Sequence, residues 1–119
     1  MSMIEQFEQE LQHGLDNMAA NEWAVSDALD KAADSVNPLE AFDSITGVLG
    51  VALKQLDSYA FYSCCVLVLQ LANKANITEQ PKGFNELLGK LKEHAKQFSE
   101  SEVGKVNAIA KWFRVIDAF

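Results

Sequence analysis

From Ser58 to Asn73 the chain runs for sixteen residues without a charged side chain. A membrane-spanning helix needs roughly 20 apolar residues, and this shorter stretch also contains Ser63, Gln70 and Asn73. It reads instead as a helix that is apolar nearly all round and has to be enclosed by the rest of the chain. Material for that enclosure exists: 49% of the 119 residues are apolar, enough for one domain with a real core and little room for a second. Residues 1–119 are therefore expected to form a single domain. Only 6 glycines and 2 prolines are present, too few for an all-β chain built from many tight turns.

Helical spacing recurs along the sequence. Ile4, Phe7, Leu11, Leu15 and Met18 follow one another at three and four residues, one face of a first helix. Asn21 then suits an N-cap for a second helix over 22–35, with Val25, Leu29, Ala32 and Val36 inward. Asn37-Pro38 with Glu40 reads as a cap, a first-position proline and the third residue of a capping box. It opens a third helix over 38–56 that is expected to be buried through Phe42, Ile45, Leu49, Leu53 and Leu56. Asp57-Ser58 caps the fourth helix, 59–74. After a loop interrupted by Pro81, Phe84, Leu87, Leu88, Leu91 and Phe98 define the fifth, 84–98. Ser99 and Glu102 make a second capping box before a last helix carrying Val103, Val106, Ile109, Trp112, Phe113 and Ile116.

The expected class is all-α, with about six helices as three antiparallel α-hairpins. Units starting near residues 2, 38 and 83 have the period of helical repeats. That leaves a HEAT-like stack or a compact helical bundle, and no residue signature is shared between the units.

Net charge is −7, and it is unevenly distributed. Residues 1–57 hold eleven acids against Lys31 and Lys54, whereas residues 58–119 hold six acids and eight bases. The first half should repel nucleic acid and anionic lipid and attract basic surfaces. Glu5, Glu8 and Glu10 stand where a secretory signal would carry a basic region. Cys64 and Cys65 are adjacent, which suits buried free thiols rather than a staple between distant segments. Together these features lead to the expectation of a cytoplasmic protein.

The chemical motifs are sparse, and no enzyme, cofactor or metal is expected. Glu10 and His13 form a single Glu-x-x-His, whereas di-iron bundles use the motif twice with two further glutamates. Histidine phosphotransfer domains are helical and of similar length, with a usual run of His-x-Leu-Lys-Gly. Neither His13-Gly14-Leu15-Asp16-Asn17 nor His94-Ala95-Lys96-Gln97-Phe98 supplies it. Gly47 and Gly50 fall inside a helical pattern and suit a close helix crossing or a kink.

The most suggestive pattern lies on the second helix. Trp23, Asp27, Asp30 and Asp34 span roughly 60° of the helical wheel, opposite the apolar side. Tryptophan anchors protein interfaces, and clustered acids steer basic partners. The same spacing also suits a solvated face with Trp23 folded back onto the core. Tyr59 and Tyr62 either extend the patch or belong to the half-buried core.

In size, acidity, helical pattern and lack of a catalytic motif, the chain resembles the small immunity proteins of bacterial toxin–immunity systems. The resemblance implies a module that binds and blocks a basic toxin domain in the cytosol. Tyr59-Ala60-Phe61-Tyr62 does not reproduce the adjacent tyrosines of the nuclease-colicin immunity proteins, so no residue role is carried over from them. The alternative expectation is a helical scaffold or adaptor acting by oligomerisation or by groove binding of a peptide. On the first expectation, Trp23, Asp27, Asp30, Asp34, Tyr59 and Tyr62 contact the partner.

Overall fold

Four of the six described helices begin where a side chain accepts from one of their first free N–H groups. The computed structural model describes residues 2–20 and 23–114, which form α1 (Met3–Asp16), α2 (Ala24–Asp34), α3 (Pro38–Leu53), α4 (Ser58–Ala75), α5 (Phe84–Ala95) and α6 (Glu100–Trp112). No strand occurs among the described residues. Ser2 accepts from Glu5 N, and Asp57 accepts from Ala60 N at 2.9 Å. Asn37 with Glu40, and Ser99 with Glu102, close both expected capping boxes. The Asn21 cap expected for α2, and Ile116 on the last helix, lie outside the described residues.

Helix ends follow local geometry that periodicity does not encode. At the end of α4, Asn76 adopts φ 55°, ψ 38°, a left-handed conformation that asparagine tolerates better than most residues. Gly83, at φ 79°, leads into α5, where a side chain would strain the backbone. Two expected core positions are overturned. The third helix ends at Leu53 rather than Leu56, and the chain turns away, so Leu56 stands 83% exposed. Likewise α1 ends at Asp16, leaving Met18 beyond its inner face and 37% exposed.

The contacts fix the relative direction of the helices. Glu10 of α1 pairs with Lys31 of α2 at 2.6 Å, while Gly14 lies against Val25. Moving along α1 therefore retraces α2. Phe84 at the start of α5 stacks on Phe113 just past α6, with ring centroids 4.6 Å apart. Along α1 and α3 the order is the same, with Ile4 beside Gly47 and Glu8 on Lys54 at 2.8 Å. The same holds for α2 and α4: Asp30 Oδ1 accepts from Gln70 Nε2 at 3.3 Å, and Ala33 O accepts from Lys74 Nζ at 2.7 Å.

α4 occupies the centre, packed on α2, α3 and α6. It buries Phe61, Cys64, Cys65, Leu67, Val68 and Leu71 completely. At one end of the molecule, His94 Nε2 donates to Gln55 O at 2.5 Å while Nδ1 accepts from Gln97 Nε2 at 3.1 Å. That pairing puts the ring proton on Nε2. The imidazole also packs tilted against Phe61 at 5.3 Å and edge-on against Phe98 at 5.6 Å, so its contacts tie the end of α5 to the α3–α4 turn.

The hydrogen-bonded carboxylate of Glu102 gives the second capping box a pH signature. The Ser99 hydroxyl, followed by the backbone N–H groups, holds its pKa below the ordinary carboxylate value. A depressed folded pKa stabilises the fold above the unfolded value of about 4.3, and the contribution disappears as pH falls through the folded value. Ser99→Ala is expected to cost about 1 kcal/mol at pH 7. In urea unfolding curves the gap from the parent should narrow below about pH 4. A gap unchanged down to pH 2 would mean the hydroxyl acts only on the backbone.

Candidate protein-binding surface

α2 turns Val25, Ala28, Leu29 and Ala32 inward, where all four are buried. Its outer ridge consequently carries Trp23, Asp27, Asp30 and Asp34, each exposed. Trp23 is 65% exposed at the head of the helix, so its side chain is not folded back into the core. The three carboxylates lie within eight residues, about 10 Å of helix axis. Lys31, the base at the border of this ridge, is drawn across to Glu10 on α1. The hydrogen bond from Lys31 is also the first cause of the lowered Glu10 pKa. Among the described residues no ion pair engages Asp27, Asp30 or Asp34; the amide of Gln70 reaches Asp30.

The charge imbalance of the sequence becomes a gradient along the order of the helices. Residues 2–36, with α1 and α2, hold eight acids against Lys31 alone. Residues 37–76 hold three acids and two bases, and residues 77–114 five acids and seven bases. Negative potential is thus concentrated on the edge that carries the α2 ridge.

The two tyrosines occupy different places. Tyr62 is half-buried, with Lys105 Nζ 5.3 Å from its ring centroid, so a cation–π contact ties it to α6. Tyr59 is 41% exposed and lines an open groove with Leu15, Met18 and Leu56 between the end of α1 and the α3–α4 turn. Met18 and Leu56 were missed as surface residues because each continues an apolar spacing beyond the helix end. The Asp57 cap places Leu56 outside both helices but does not say whether it is covered. With Asp57 as N-cap, Leu56 precedes the cap, a position whose side chain often packs on the fourth helical residue. That residue is the fully buried Phe61, and Leu56 stays in solvent.

Glu10 and His13, the single Glu-x-x-His, are held in structural contacts. Glu10 is engaged by Lys31 and Gln6, and His13 Nδ1 faces Asn17 Nδ2 at 3.4 Å. No group of three or more His, Cys, Asp or Glu among the described residues could hold a metal ion. Burial pushes both thiols up, Cys65 to about 12, so both are protonated at neutral pH. No helix among the described residues is long and apolar enough to cross a membrane. Comparisons with protein-family models, curated proteins and solved structures return no match, so a functional reading has to rest on the surface itself.

Proposed function

We propose that this chain is a protein-binding module that presents the α2 ridge to a basic partner. In this reading it acts stoichiometrically in the cytosol, as an inhibitor of the immunity-protein kind. The observation that carries the proposal is the exposed Trp23 heading three exposed aspartates that form no ion pair with a lysine or arginine among the described residues.

Magnitudes assign the two components different tasks. An exposed ion pair contributes about 0.2–1 kcal/mol and weakens with salt, whereas a buried interfacial tryptophan is commonly worth about 2 kcal/mol or more. The carboxylates would therefore set the encounter rate, and Trp23 the lifetime of the complex.

The partner would be recovered from the native host on a tagged chain and its binding kinetics then measured. Asp27→Lys/Asp30→Lys/Asp34→Lys is expected to lower the association rate at least tenfold, and the parent rate should fall as salt is raised. Trp23→Ala should act mainly by speeding dissociation. A partner held equally by the parent and the triple variant would overturn the reading. So would recovery of nothing but further copies of the chain, which would favour the scaffold alternative.

A further inference from the structure

We infer that the groove between the end of α1 and the α3–α4 turn is a second contact site, built to take an apolar side chain presented by a basic peptide segment. The inference rests on the proposed basic partner but uses a different surface. Leu56, Tyr59 and Met18 are 83%, 41% and 37% exposed, and with the half-buried Leu15 they line one open groove of ≈ 570 Å³. Three exposed large apolar side chains in one groove differ from the scattered single ones normal on a protein surface.

Charge selects the occupant. Asp16 and Asp57 stand on the groove, and Lys54, the base beside them, is engaged by Glu8 at 2.8 Å. A second copy docking symmetrically would set these carboxylates against their own equivalents. An acidic segment would meet the same repulsion, whereas lysine or arginine flanking a leucine or tryptophan would satisfy both the rim and the apolar floor. Trp23 opens α2, whose start lies against Gly14 near the end of α1. One partner could therefore engage ridge and groove together.

The test uses three synthetic peptides and the ¹⁵N-labelled chain. The first carries Leu-Trp flanked by arginines, the second the same pair flanked by glutamates, and the third keeps the arginines with alanines at the centre. The first peptide is expected to shift the amides of Met18, Leu56 and Tyr59, and the other two to bind at least tenfold more weakly. Leu56→Asp should weaken the first peptide by about 10- to 100-fold, the affinity that one buried leucine-sized contact supplies. The substitution adds a negative charge, so a purely electrostatic attraction would strengthen instead.

Equal binding of the acidic or alanine peptide, no shift at the groove, or groove shifts caused by self-association on concentrating the chain alone would each overturn the inference. The Asp27/Asp30/Asp34 lysine variant separates the two proposals. Shifts confined to α2 and lost in that variant would leave the ridge standing and remove the groove. Groove shifts that persist in that variant would support the groove even if the ridge reading failed.

Discussion

Phe61→Ala is expected to lower the unfolding free energy by about 3–5 kcal/mol, the range for removing a buried aromatic ring from a well-packed core. The ring is fully buried one turn into α4 and contacts two other rings, Phe98 at 5.2 Å and His94 at 5.3 Å. Its loss would leave a cavity under the α3–α4 turn, where His94 also anchors α5 through Gln55 O. A domain of this size has about 5–15 kcal/mol in all, so the variant would lose a large share of its stability. Urea unfolding followed by circular dichroism measures this directly. Leu56→Ala, five residues earlier and almost fully exposed, is the control and should change stability by about 0.5 kcal/mol or less. Comparable losses in both variants would mean that the turn, rather than the buried ring, sets stability.

That contrast marks the boundary between what the sequence made legible and what it did not. Caps are local: Asn37, Asp57 and Ser99 need only the next three residues to act, and each starts its helix where expected. Inner faces were legible within the helices, as for Val25, Leu29 and Ala32, all buried, and Val36 is buried as well although α2 ends at Asp34. Helix ends depend on where neighbouring elements force the chain to turn. The spacing Leu49, Leu53, Leu56 runs on unbroken, but the third helix stops at Leu53.

The candidate surface divides in the same way. The three aspartates could be placed on the outer side of α2 from the wheel alone, whereas the wheel does not decide whether Trp23 folds back onto the core; all four are exposed. Tyr59 and Tyr62 are only about 60° apart on their helix. What separates them is α6, whose Lys105 covers the second ring and leaves the first open. No pattern within residues 59–62 carries that information, because the covering residue lies more than forty positions away.

Gly14→Leu is expected to destabilise the chain by about 3 kcal/mol, the upper part of the usual range for overpacking. A Cβ at this position would lie 3.1 Å from Val25 Cγ2, 3.2 Å from Val25 N and 3.3 Å from Ala24 C. Two of these three neighbours are backbone atoms, which no rotamer change can remove. Three further carbons can be accommodated only by moving the start of α2 off α1. Gly14→Ala isolates the first contact, because a helix-propensity gain of about 1 kcal/mol opposes a shift of a few tenths of an ångström. Its net change should be small. Gly50, with nothing within 4 Å of its would-be Cβ, shows the propensity gain alone and should stabilise as alanine by about 1 kcal/mol. The strain at position 14 falls next to Trp23, so amide shifts in the leucine variant should concentrate along α1 and α2 and fade toward α5 and α6. Its complex with the partner should also dissociate faster than that of the alanine variant. Equal urea midpoints for Gly14→Leu and Gly14→Ala would show that α2 can lift from α1 without loss. The helix pair would then be too loosely held to preorganise the acidic ridge.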